Sequence, residues 1–257
     1  MTWLAVWLVG IGVADLARSV GRPTLDRLSP VIGGVMILAM ALALGLTAPA
    51  DLGVLAASLL SLALWVVWSR RVLNHGEGAV RALVALAGGA VWLLALSGWQ
   101  SEPGGVLGDW LLWADLPLVG NAPVGRVVLL VGLGLVNVAT ANILVRTVLV
   151  AVGALKPVTL TDLAGLAPGQ PSDELRGGRL LGPMERLLIL GLGLAGQFTA
   201  AGLVIGAKGL IRFPELQAKR DDRSSVDAVG IDEVTEYFLI GSFVSWLVAL
   251  GSLALTR

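Results

Sequence analysis

The chain has 257 residues, of which 56% are hydrophobic and 14% charged, and its 18 Lys and Arg balance 18 Asp and Glu to a formal net charge of zero. With a mean hydropathy of +0.85, this composition excludes an ordinary soluble domain, and the charge balance gives no reason to expect nucleic acid as a partner. The absence of cysteine excludes a disulfide framework and a thiolate metal site.

Apolar runs near the length needed to cross about 30 Å of hydrocarbon recur along the chain. They predict spans at roughly residues 2–17, 30–48, 52–69, 80–98, 126–150, 187–207 and 235–255. The expected fold is all-α: a polytopic transmembrane helix bundle of about seven helices, forming a single integral membrane domain. The first run, "MTWLAVWLVGIGVADLARS", has no basic region before it and continues into Asp15 and Arg18, which predicts a retained helix rather than a cleaved leader.

Arg18, Arg22 and Arg27 follow the first span, "TAPAD" after the second carries no positive charge, and "SRRVLNHGEGAVR" after the third is basic again. The positive-inside pattern then predicts an extracytoplasmic N-terminus. The connection 99–124 holds Glu102, Asp109 and Asp115 with Trp99, Trp110 and Trp113 but no Lys or Arg. This mixture reads as an extracytoplasmic loop resting partly in the headgroup region. In the fifth span, Asn137, Thr140 and Asn142 are polar at bilayer depth and are expected to bond across the bundle; a solute path joined by Gln197 is the alternative. A cytoplasmic loop is expected at about 151–186, where "VTLTDLAGLAPGQPSDELRGG" interrupts periodicity, and a polar connection at about 208–234.

The sixth span raises a conflict of orientation. A single crossing over 187–207 puts Lys208, Arg212, Lys219, Arg220 and Arg223 outside, whereas a re-entrant or broken segment keeps both basic flanks inside. Length favours the single crossing, since 21 residues make about 31 Å of helix, and Gly191, Gly193, Gly196 and Gly202 leave the broken form open. The side of the C-terminus turns on that choice.

The motifs "GRLLGPMER", "AKGLIRFPEL" and "EYFLIGSF", in this order over residues 177–252, resemble an uncharacterised family of bacterial polytopic inner-membrane proteins. The resemblance implies a location in the bacterial inner membrane and no known reaction. In that family the N-terminal portion carries an early Asp, which Asp15 matches, and histidines, of which this chain has only His75.

Glu185 and Arg186 read as the entrance of the sixth helix, with Pro183 in its first turn and Gly177, Gly178 and Gly182 before it. Arg179 and Arg186 across that entrance are the best candidates for contact with an anionic headgroup or a protein partner. Lys208, Arg212 and Glu215 at the other end read as an interfacial turn or short amphipathic helix, and join the same site only if the segment re-enters. The candidate binding set is therefore Arg179, Glu185, Arg186, Lys208, Arg212 and Glu215. No catalytic residue is identified, and no cofactor or metal is expected, because His75 has no histidine or cysteine companions.

Three functions remain open. The first is a membrane-embedded accessory, scaffold or binding protein, with membrane lipids, a protein partner or a second copy as its partners. The second is a small-solute transporter or channel component, and the third is a lipid- or isoprenoid-modifying enzyme using Glu185 or Glu236 as a base.

Overall fold

Helix is the only regular structure among the described residues. The computed structural model describes residues 1–98, 101–115, 122–155, 178–221 and 231–257, with side chains except at 178–180, 211–221 and 231–234. The elements are α1 (Thr2–Ser19), α2 (Pro23–Ala43), α3 (Pro49–His75), α4 (Ala79–Ala95) with a closing 3-10 turn (Leu96–Gly98), and α5 (Gly105–Ala114). After these come α6 (Val124–Leu135), a π-helical segment (Val136–Thr140), α7 (Ala141–Ala151), α8 (Gly178–Leu194), α9 (Phe198–Asp221) and α10 (Ile231–Ala254). Among the described residues, six helices are long and apolar enough to cross a membrane, Val124–Ala151 counting as one. The chain is an all-α bundle of the multi-pass membrane type.

Two units form. The first comprises Met1–Trp68 and Val80–Thr140, with Thr256; the second comprises Ser69–Ala79 and Ala141–Leu255, with Arg257. In the first unit α1 is apolar nearly all round, and its residues from Thr2 to Gly12 are buried, as a central helix requires. Small residues let its neighbours close on it. A Cβ at Gly33 of α2 would stand 2.7 Å from the Gly10 carbonyl oxygen and 2.9 Å from Ala14 Cβ, and one at Gly132 of α6 would stand 2.9 Å from Leu8 Cβ. On another side Ser61 of α3 donates to the Ala85 carbonyl of α4 at 3.1 Å.

The expected spans are met closely except at α2, α3 and the sixth. α2 begins at Pro23, a residue pre-shaped for the first helical turn, and continues through Pro30 instead of starting there. α3 runs through Arg70 and Arg71 to His75, so the basic stretch expected as a loop is mostly helix, and the chain turns only at Gly76 (φ 75°) and Gly78 (φ 83°).

The sixth segment is broken. α8 stops at Leu194 and α9 starts at Phe198, which corrects the single crossing over 187–207. The break is a Schellman turn: Gly196 takes a left-handed φ of 75°, Gln197 N–H donates to the Leu192 carbonyl at 2.8 Å, and Gly196 N–H donates to Gly193 at 3.1 Å. Two further expectations change with it. Gly178–Arg186 is helix and Pro183 lies inside it, so the loop expected to extend to 186 ends earlier; residues 156–177 of that loop lie outside the described residues. The stretch "KGLIRFPEL" belongs to α9, whose backbone continues to Asp221, so it is neither a turn nor a separate short helix.

Candidate functional site

The second unit is organised by the α8–α9 hairpin and α10. Ile189, Ala201 and Ala249, one from each helix, form its apolar centre, with Leu192, Val204, Ile205 and Trp246 packed around them. Contacts along the helices fix their register. Gly193 of α8 faces Leu253 of α10 so closely that a Cβ at 193 would collide with the leucine side chain. Arg257, just beyond α10, lies over the ring of Phe198 at the start of α9, 4.9 Å from its centroid. The hairpin tip is thus level with the C-terminal end of α10, and α8 runs beside α10 in the same direction.

That register sets the depth of the charges. Glu185 accepts a hydrogen bond from Trp246 Nε1 at 2.7 Å, and Arg186 Nη1 donates to Ser245 Oγ at 2.9 Å. Ser245 and Trp246 lie near the middle of the Thr235–Ala254 span, about 12 Å from its C-terminal end at 1.5 Å per residue. From the returning leg, Lys208 Nζ comes within 2.7 Å of Glu185 Oε2 and lies 5.9 Å from the centroid of the Trp246 ring. From α7, Asn142 Oδ1 accepts from Arg186 Nη2 at 2.6 Å. Three charges and three polar side chains therefore meet at the middle of a helix bundle.

These contacts correct the reading of Glu185 and Arg186 as a helix entrance. The helix starts seven residues before Glu185, and Arg186 is 2% exposed, so its guanidinium is directed into the unit rather than toward a surface anion. Gly182 lies inside the helix rather than in a turn, and a Cβ there would meet Arg186 Nη1 at 3.4 Å, an ordinary contact. Of the six candidate binding residues, Glu185, Arg186 and Lys208 belong to one centre. The side chains of Arg179, Arg212 and Glu215 lie outside the described ones, although all three positions are helical. Lys208 and Glu185 share one level because the segment folds back, and the separation by a bilayer thickness that a single crossing requires is not present.

The intramembrane polar residues divide. Asn142 is part of the Arg186 centre. Asn137 and Thr140 lie in the first unit on the π-helical segment; both are buried, and Asn137 Nδ2 donates to the Leu133 carbonyl at 2.8 Å. Gln197 is exposed at the hairpin tip, where its carbonyl accepts the Ala201 N–H, and it does not join Asn142.

The first unit contains two buried carboxylates that reading for candidate sites passed over. Asp15 accepts from Trp65 Nε1 at 2.9 Å and from Arg18 Nη1 at 3.0 Å, with Thr140 beside it, and Arg18 Nε lies 3.4 Å from Asp26. Asp51 accepts from Trp3 Nε1 at 2.9 Å, from Ser101 Oγ at 2.6 Å and from the Ala48 N–H at 3.1 Å, capping the start of α3. The sequence signal for Asp15 was present, a carboxylate inside an apolar run with Arg at i+3. Its indole donor, 50 residues away, left none.

Among the described residues, no three His, Asp or Glu side chains converge; the chemistry on offer is paired charge and hydrogen bonding at mid-span. Compared with known proteins, the chain matches no family model, no curated protein and no solved structure.

Proposed function

We propose that this chain is an accessory or scaffold component of the bacterial inner membrane that binds a partner within the membrane through the charged centre of its second unit. The observation that carries the reading is Lys208. Its ammonium has three donors, one of which goes to Glu185, and its side chain is 25% exposed beside α9. Charged side chains at bilayer depth are costly and are kept where they pair with something. Glu185 uses one oxygen on Lys208 and the other on Trp246, so a partner is met by the ammonium. The fitting partner is a transmembrane helix carrying a carboxylate or amide at that depth. An anionic lipid headgroup fits less well, because mid-span is far from the headgroup layer.

The test is a photo-crosslinking residue at Ala207, which is exposed next to Lys208, in intact bacterial membranes. A discrete protein adduct that disappears with Lys208→Met, while the variant still inserts, is the expected result. Adducts with lipid alone, or a protein adduct indifferent to Lys208, overturn the reading. The hairpin itself favours transport as a second reading, since broken helices that bring charge to mid-depth are how transporters build their sites. Ion flux into proteoliposomes that is abolished by Glu185→Gln would favour it over a scaffold.

The proposed orientation has the N-terminus outside. Supporting it are the basic first and third connections and the hairpin, whose even number of passes is compatible with both of its basic flanks lying on the inner side. The C-terminus is then outside as well. Since the chain has no cysteine, single cysteines report directly: Ser101→Cys and Gln197→Cys should label from outside in intact cells, and Asn74→Cys and Ala218→Cys should not. Labelling at Ala218→Cys overturns this topology.

A further inference from the structure

α5 is a ten-residue helix with its apolar side turned outward. Leu107 and Leu111 are half-buried and Gly108 is buried, so these form its inner face. Val106, Leu112 and Trp113 are 76 to 81% exposed, and Trp110 is half-exposed beside them. At about 15 Å the helix is too short to cross a bilayer.

Its position is tightly held. Gly104 N–H donates to the Leu44 carbonyl at 3.0 Å, and Gly105, at φ 58°, lies so close to the end of α2 that a Cβ would stand 2.7 Å from the Ala43 oxygen. Ser101, just before α5, is bonded to Asp51 in the first turn of α3. α5 therefore lies at the level where α2 ends and α3 begins, which is the boundary of those two spans. The exposed stripe of α2, Val31, Val35, Leu38 and Leu42, runs up to the same turn. An apolar surface continues from the side of a membrane-crossing helix onto α5.

We propose that α5 is an interfacial helix seated in the lipid leaflet on the Asp51 side of the membrane, with phospholipid at the headgroup–acyl boundary covering Val106, Trp110, Leu112 and Trp113. Indole rings favour that layer, and an interfacial helix places its apolar face about 5–10 Å into it. The segment from 99 to 124 carries Glu102, Asp109 and Asp115 and no Lys or Arg. Apolar burial therefore drives the seating, and anionic lipid is not needed.

The chain lacks cysteine, so nitroxide labels at Leu112→Cys and Trp113→Cys can be read in the whole protein reconstituted into phosphatidylcholine vesicles, with Glu102→Cys as the water-facing reference. The expected result is that oxygen collides with labels at 112 and 113 more often than a water-soluble nickel chelate does, and that the reverse holds at 102. Two outcomes overturn the proposal. One is chelate access at 112 and 113 equal to that at 102, which means water covers the face. The other is shielding from both reagents, which means a protein surface or a second copy covers it. A requirement for phosphatidylglycerol in the vesicles overturns the apolar account of the seating.

Discussion

The two units bury charge in opposite places while using the same bond. In the first, Asp51 is in the opening turn of α3, where the helix dipole favours a carboxylate. Asp15 is toward the C-terminal end of α1, where the dipole does not favour it and Arg18 pairs with it. In the second, Glu185, Arg186 and Lys208 are level with the middle of α10. Yet each of these three carboxylates accepts an indole N–H: Trp3 on Asp51, Trp65 on Asp15 and Trp246 on Glu185, at 2.9, 2.9 and 2.7 Å. An indole suits this task because it brings one donor and no acceptor on a large apolar body. It satisfies part of a carboxylate while filling space between helices. It adds no charge, so the remaining neutralisation must come from Arg18 for Asp15 and from Lys208 for Glu185.

The strongest way to break the first unit is at Asp15. Asp15→Ala leaves the Arg18 guanidinium and the Trp65 N–H without their common acceptor at a site that is fully buried. Removing one partner of a buried pair costs about 3–5 kcal/mol, and the loss should appear as a large drop in the unfolding midpoint in detergent. Asp15→Asn should recover part of it by keeping an acceptor for Trp65. If Asp15→Ala unfolds at the wild-type midpoint, the carboxylate does not organise this unit.

The mid-span pair of the second unit is less enclosed by protein, with Lys208 a quarter exposed beside α9, and a double-mutant cycle sharpens the contrast. Lys208→Met and Glu185→Gln each strand one charge, whereas the double variant strands neither. The expected coupling is about 1–3 kcal/mol, with the double variant more stable than either single one. Strict additivity would mean that the 2.7 Å pair contributes nothing to closing the hairpin.

Much of the bundle was legible because apolar length is a strong signal, and four of the seven spans, the first, fourth, fifth and seventh, were read to within a few residues. What failed had physical causes. Pro30 and Pro183 were expected at helix starts, since each removes a hydrogen bond from a helix interior, but both lie inside helices. The sixth run was long enough for one crossing, and length alone cannot distinguish one helix from two legs joined at a glycine. Choosing between them required knowing that Lys208 meets Glu185, a contact made in three dimensions. Of the charged residues named as a binding set, Glu185, Arg186 and Lys208 meet in one centre. Their setting was misread, because depth in a membrane depends on register against a neighbour, here Trp246 and Ser245, rather than on distance from the end of an apolar run.

The smallest predicted effect isolates the turn that makes the two legs. Gly191 and Gly196 are five residues apart, and a Cβ at either would meet nothing within 4 Å, so packing cannot distinguish them. Their backbones differ. Gly196 has a φ of 75° and closes α8, while Gly191 lies within the helix. An alanine at a left-handed position costs about 1 kcal/mol, because its Cβ crowds the following carbonyl. In a helix interior it gains about 0.5–1 kcal/mol over glycine by restricting the unfolded chain. Gly196→Ala should therefore lower the unfolding midpoint slightly and Gly191→Ala should raise it or leave it unchanged. Gly196→Asn should fall between wild type and the alanine variant, since asparagine tolerates the left-handed region. Equal effects of alanine at the two positions would remove the turn, and with it the hairpin that carries Lys208 back to Glu185.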